Sequence, residues 1–125
     1  MLAKAEAKYV RISARKARLV SELVKGKTVE EAAFILKNIN KRAGAPIQKV
    51  INSAFSNANN AEQKKLLTKE VLITSIRING GPMLKRYRAA TMGRATAIRH
   101  RTAHIYIELD KKEQEKKQRK KGRGA

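Results

Sequence analysis

Apolar residues recur along this chain with two different periods, and the changes of period mark its elements. Residues 4–12 alternate: Lys4, Glu6 and Lys8 fall on one side and Ala5, Ala7 and Tyr9 on the other, as in a half-buried strand. From Ser13, a good N-cap residue, the period lengthens to that of a helix. Ala17, Val20, Leu23 and Val24 share a face, and Gly26 supplies a stop just beyond Lys25. Thr28-Val29-Glu30-Glu31 is a capping box that opens a second helix, carried by Ala32, Ala33, Leu36 and Ile39. After a turn over residues 38–44, Pro46 fits the first turn of a third helix. There Ile47, Val50, Ile51, Ala54, Phe55 and Ala58 keep helical spacing most closely, so this helix should centre the core. Phe34 and Phe55 also read as core.

Alternation returns at residues 70–79, with Leu72, Thr74, Ile76 and Ile78 on one face and Val71, Ile73, Ser75 and Arg77 on the other. Gly80-Gly81-Pro82 bends this strand, and His104 to Leu109 forms its return, with Ile105, Ile107 and Leu109 on one face. Between them, residues 83–102 alternate but hold almost nothing for a core, and Gly93 is the best turn candidate near their midpoint. The pattern predicts one long antiparallel hairpin whose base joins the domain and whose distal half projects. A two-stranded ribbon of that kind is marginal in water, so something outside the chain must hold it. Lys111 to Ala125 is a low-complexity basic tail, expected to be disordered in isolation.

Charge changes the picture from fold to function. The 125 residues allow one modest core, yet they carry a net charge of +20. From Val71 to Ile107 there is no Asp and no Glu, whereas Arg77, Lys85, Arg86, Arg88, Arg94, Arg99 and Arg101 all fall in that stretch. A segment with one sign of charge expects its counter-charge from outside, and nucleic acid is the densest polyanion in a cell. The first helix also places Arg15, Lys16 and Arg18 at its N-terminal end, the wrong end for cations. That is either a tolerated local cost or the mark of a bound phosphate, and the overall charge favours the phosphate. Asn57, Asn59 and Asn60 read as local capping or as RNA contacts, and the tail as a solvated extension or a phosphate contact.

Other classes find little support. The lack of cysteine excludes disulfides and thiolate metal sites. No apolar run approaches the roughly 20 residues that span a bilayer, and the opening Met1 to Glu6 has no apolar signal region. His100 and His104 would lie about 13 Å apart along one strand face, too far to share a metal. No carboxylate pair has a third orienting group, and Gly80-Gly81 lacks the Gly-Lys-Ser/Thr that follows in a phosphate-binding loop. No catalytic residue, metal or cofactor is therefore expected. The few aromatics do not make a stacking surface, so nucleic-acid binding should be led by phosphate contacts, with Tyr87 the one plausible stacking ring.

The segment Val10-Arg11-Ile12-Ser13-Ala14-Arg15-Lys16-Ala17-Arg18-Leu19-Val20 resembles the opening of the bacterial ribosomal large-subunit protein L twenty-two family. So do Asn52-Ser53-Ala54, Asn57-Ala58 and Asn60, and most specifically Gly81-Pro82 through Lys85-Arg86, Gly93-Arg94-Ala95, and Arg101-Thr102-Ala103-His104-Ile105. The resemblance runs in family order to about Leu109. It implies an α+β fold, three helices packed on a small antiparallel sheet in a single domain (1–110), with a long protruding β-hairpin at about 80–102 and the disordered basic tail at 111–125 beyond it. The protein it implies is a structural, non-enzymatic one of the cytoplasmic ribosome whose globular part sits near the peptide exit. It also implies a hairpin that threads 23S ribosomal RNA, contacts several of its domains and helps early subunit assembly. Its other implied partners are neighbouring large-subunit proteins and the nascent peptide, with no membrane and no small-molecule substrate; hairpin changes in relatives alter macrolide sensitivity. Carried onto this chain, the exit-tunnel tip is Tyr87, Arg88, Ala89, Ala90, Thr91, Met92, Gly93 and Arg94. The rRNA-binding set is Arg11, Arg15, Lys16 and Arg18 in the domain, Arg77, Lys85, Arg86, Arg88 and Arg94 outward along the hairpin, and Arg99, Arg101 and His104 on its return. Met83 and Leu84 precede the tip on the incoming strand. The alternative is a free-standing nucleic-acid-binding, architectural or chaperone protein whose slim arm enters a minor groove.

Overall fold

The computed structural model of the chain describes residues 2–63 and 65–111. The order of elements is β1 (Ala3–Val10), α1 (Ala14–Val24), α2 (Val29–Asn38), α3 (Gly44–Glu62), β2 (Val71–Gly80), β3 (Leu84–Ala89), β4 (Ala95–His100) and β5 (Ala103–Lys111). β5 lies between β1 and β2 and pairs antiparallel with both, while β3 and β4 pair only with each other in a second, two-stranded sheet. This is the expected α+β arrangement of three helices on a small antiparallel sheet with a protruding hairpin. The basic tail beyond Lys111 lies outside the described residues.

The core forms where the apolar stripes of the helices meet one face of the three-stranded sheet. Ile105, Ile107 and Leu109 are wholly buried, as are Ile47, Ile51, Ala54 and Ala58 of α3, with Ala17 and Val24 of α1 beside them. Each fully buried Ile or Leu stabilises the fold by about 1.5–3 kcal/mol. α3 packs on β1 and β5, and α1 packs on β2. The opposite face of the sheet carries His104, Tyr106 and Glu108, which remain partly exposed.

Local chemistry explains the boundaries. Thr28 caps α2, its hydroxyl accepting the Glu31 amide at 3.2 Å. Gly26 stops α1 with a φ of 78°, and its amide donates to the Ile73 carbonyl, tying the turn to the start of β2. α3 starts at Gly44, within what reads as turn, and ends at Gln63 in the left-handed region. The asparagines near that end act locally: Asn57 donates to the Lys4 carbonyl, and the Asn59 carbonyl accepts the Leu66 amide. Lys111 pairs with Glu62 at 3.0 Å and joins the ends of β5 and α3.

Several expectations from periodicity are corrected. In β2 the register shifts between Ile73 and Ser75, so Val71 and Ile73 face the core before the bulge and Ile78, with Ile76 half-buried, after it. A single extra residue exchanges the two faces, which strict alternation does not foresee. A second bulge between Ala7 and Val10 turns Tyr9 outward, with φ 58° and 65% exposure, although it shares a period with Ala5 and Ala7. Leu23 is half exposed because Val20, Ser21 and Val24 occupy the buried side of α1. Phe34 is 71% exposed, as α2 buries Val29, Ala32 and Leu36 instead, while Phe55 packs at the edge of the core.

Val50→Asp should abolish cooperative thermal unfolding, since an unpaired charge in this core costs about 3–5 kcal/mol or more of a total of about 5–15 kcal/mol. A variant that melts like the parent would remove α3 from the centre of the core.

Candidate nucleic-acid interface

Three stretches far apart in sequence bring their cations to one groove. Arg11, Arg15 and Lys16 come from the junction of β1 and α1, Lys41 and Arg42 from the turn before α3, and Arg99, His100 and Arg101 from the end of β4. The groove has a volume of about 1150 Å³ and no acidic lining residue. α1 begins in its wall without compensation: the Ser13 side chain makes no capping hydrogen bond, and no acid stands in the first turn. The start of α2, with Thr28, Glu30 and Glu31, is fully provided for. The free amides and partial positive charge at the start of α1 thus add to the surrounding cations, an arrangement suited to phosphate.

The arm formed by β3 and β4 concentrates charge differently. Lys85, Tyr87 and Ala89 share one face with Ala95, Ala97 and Arg99; Leu84, Arg86 and Arg88 share the other with Thr96, Ile98 and His100. Lys85 stands directly opposite Arg99, and like charges in that position destabilise a bare hairpin. Every residue of β3 is exposed, and Tyr87 is 73% exposed. At the tip the Ala90 amide donates to the Arg94 carbonyl at 2.7 Å around a 3₁₀ turn, Thr91–Gly93. Met92 and Gly93 both have positive φ, 63° and 70°, so the turn needs Gly93 for its conformation rather than for space. Met92 extends into solvent at 94% exposure.

The root of the arm is built from close contacts. Between β2 and β3, and again between β4 and β5, the ladder is interrupted, and the Gly81 amide bridges the gap to the Thr102 carbonyl at 2.9 Å. The Thr102 hydroxyl donates to the Pro82 carbonyl at 2.6 Å. A Cβ on residue 81 would sit 2.5 Å from Thr102 Oγ1 and 3.2 Å from His104 Cε1, so only glycine fits. His104 in turn accepts the amide of Tyr9 at Nδ1, 3.1 Å away, and meets the Tyr9 ring edge-on at 5.0 Å. That bond offsets part of the cost of the left-handed Tyr9, about 1 kcal/mol or more. With Nδ1 accepting, the ring proton of a neutral His104 resides on Nε2.

The structure therefore sorts the residues expected to bind RNA. Arg11, Arg15, Lys16, Arg99 and Arg101 meet in the groove. Lys85, Arg86, Arg88 and Arg94 follow the arm and its tip. Arg18 lies apart, its Nε donating to the Ile78 carbonyl at 3.0 Å. Arg77 sits on the outer face of the sheet, 3.5 Å from Glu108 and 4.5 Å above the Tyr106 ring, so it finds a counter-charge within the chain. Sequence reasoning missed Lys41 and Arg42, which lie in a segment read as a turn. An adjacent basic pair just before a helix was the available signal, close to that of the cations in the first turn of α1, which drew attention to Arg15 and Lys16. Among the described residues, no three His, Cys, Asp or Glu side chains lie together as a metal site, and no helix is long and apolar enough to cross a membrane.

Comparison with known proteins gives a consistent result. The family model for Ribosomal protein L22p/L17e matches residues 5–110. The large ribosomal subunit protein uL22 of Halothermothrix orenii is 45% identical over 114 residues, covering 91% of this chain and 99% of its own length. The corresponding protein of Syntrophus aciditrophicus is 46% identical, covering 90% of this chain and all of its own. That of Clostridioides difficile is 47% identical over 112 residues, with 90% and 99% covered.

Gly81→Ala should loosen the root: proteolysis within the arm is expected to accelerate several-fold while the melting temperature of the domain changes little. Unchanged cleavage would show that the Gly81–Thr102 contact does not hold the arm. A second expectation concerns pH. The Tyr106 hydroxyl donates to Glu108 Oε1 at 2.7 Å, and this bond, helped by partial desolvation, raises its pKa above the ordinary 10.0 against the opposing pull of Arg77. The folded chain holds this proton more tightly than the unfolded chain does. The associated stability is thus complete below about pH 10 and lost as pH rises through the raised folded-state value. Ultraviolet or NMR titration of Glu108→Ala should move Tyr106 back to the ordinary range or below; an unmoved titration would assign the shift elsewhere.

Proposed function

The chain belongs to the ribosomal protein L22p/L17e family, and from that premise we propose that it binds 23S ribosomal RNA through its basic groove and arm. As a member of that family it is a structural constituent of the large ribosomal subunit rather than an enzyme, and its place is the ribosome of the cytoplasm. The observation that carries RNA binding is the arm itself. It is a ribbon exposed along all of β3 and most of β4, with Lys85 directly opposite Arg99 and no acidic residue of its own, a form that surrounding polyanion would stabilise.

Arg11, Arg15, Lys16, Arg99 and Arg101 contact phosphates at the base, and Lys85, Arg86, Arg88 and Arg94 continue those contacts outward. Arg18, Arg77 and His104 act closer in, on the domain side of the arm, where they are held by Ile78, Glu108 and Tyr9 while their free donors reach RNA. The tip, from Tyr87 to Arg94, lines the peptide exit tunnel beside the nascent peptide, where Ala89, Ala90, Thr91 and Gly93 keep it slim. Binding of several rRNA segments at once by groove and arm supports early subunit assembly beside neighbouring large-subunit proteins. Changes in the tip would alter macrolide sensitivity by reshaping the tunnel wall.

Sedimentation of a tagged copy from lysate at moderate and then high salt tests this reading. The parent chain should remain with the large subunit at both. Arg86→Ala/Arg88→Ala/Arg94→Ala should be lost at high salt, with the melting temperature of the free protein nearly unchanged. A parent chain found in light fractions would favour a free nucleic-acid-binding protein. A large drop in melting temperature of the triple variant would make the arm part of the core.

A further inference from the structure

The groove is lined from two parts of the molecule, the domain and the arm. Arg11, Arg15 and Lys16 belong to the domain, as do Lys41 and Arg42, whereas Arg99 and Arg101 belong to the arm and its root. Between arm and domain the strand ladders are interrupted at residues 81–83 and 101–102, and the bridging bonds there come from Gly81 and Thr102. Such a joint fixes register but leaves bending of a two-stranded ribbon weakly opposed. With the groove empty, cations on the arm side face cations on the domain side without an acid between them. Their repulsion tends to swing the arm away.

We propose that the groove is a phosphate clamp in which one RNA backbone segment, gripped by Lys41 and Arg42 of the domain and by Arg99 and Arg101 of the arm and its root, sets the angle of the arm. Lys41 and Arg42 are thereby positioning residues for the distant tip: they belong to the domain, yet they complete the anion site that draws the root of the arm inward. The ligand class is a ribonucleic acid backbone rather than a single small anion, because cations from three chain segments spread over a groove of about 1150 Å³ match several adjacent phosphates. Binding at the base then precedes and guides seating of the tip. The free protein samples several arm angles, and the bound protein holds one. This inference rests on the RNA-binding reading given above.

The chain has no cysteine, so spin labels can be placed without removing any native residue of that type. Labels at Ser56→Cys, exposed on α3, and Met92→Cys, at the tip, report the arm angle as a distance distribution. The distribution of the full-length chain should be broad alone and become narrow on addition of protein-free 23S rRNA. Lys41→Ala/Arg42→Ala should still bind, with a salt slope shallower by about 1.5, the loss expected for two phosphate contacts. Its distribution should stay broad, and Lys41→Arg/Arg42→Lys should restore the narrowing. A parent distribution already narrow without RNA, or an alanine variant that narrows as fully as the parent, overturns the clamp while leaving RNA binding intact. Absence of salt-sensitive binding by the parent removes the RNA-binding reading, and the clamp with it.

Discussion

The two ladders made by β5, one with β1 and one with β2, hold the rest of the molecule in place. Its inward residues, Ile105, Ile107 and Leu109, are wholly buried in the core, where α3 packs on β5 and β1 while α1 and α2 pack on β2 and on α3. Its outward residues, His104, Tyr106 and Glu108, hold Tyr9 and Arg77. Its first residues, just past Thr102, are the root of the arm. One strand thus transmits the position of the core to a ribbon that has no core. A change that weakens either ladder would be felt at the tip without touching it.

Charge is distributed around this frame by a simple division. Where an acid can reach a cation within the chain, the pair is structural: Arg77 with Glu108 on the sheet, Lys111 with Glu62 at the end of α3. In the groove and along β3 and β4 no acid is present, and cations stand beside or opposite one another. The domain alone bears that repulsion because its apolar core is continuous. The arm has no such reserve, and so the same charge that recruits RNA also makes the arm's geometry dependent on it.

Much of this was legible in the sequence, for identifiable reasons. The capping box at Thr28, the stop at Gly26, the helical spacing of Ile47 to Ala58 and the alternation of Ile105 to Leu109 are local signals, and each became the element it predicts. What failed depended on a single inserted residue or on which neighbour arrived in space. Bulges near Thr74 and Tyr9 exchanged faces that strict period two keeps apart. Phe34 and Leu23 were misjudged because hydrophobicity does not say which side of a short helix its partners occupy. The groove escaped for the same reason. Its cations are tens of residues apart, and only the packing of α3 against α1 and the return of β4 bring Lys41 and Arg42 to Arg99 and Arg101.

The pairing of β1 with β5 sets a condition on when this protein comes into being. Ala3 finds its partner at Leu109, and Val10 finds its partner at Ala103, so β1 waits for a strand made about a hundred residues later. Until β5 has emerged, the helices have no complete sheet to cover, and β1 remains an unpaired edge. Contacts so distant in sequence form slowly and late. A chain cut before β4 therefore lacks both the frame and the groove residues Arg99 and Arg101, and a nascent copy acquires its native surface only after residues 103–111 have emerged.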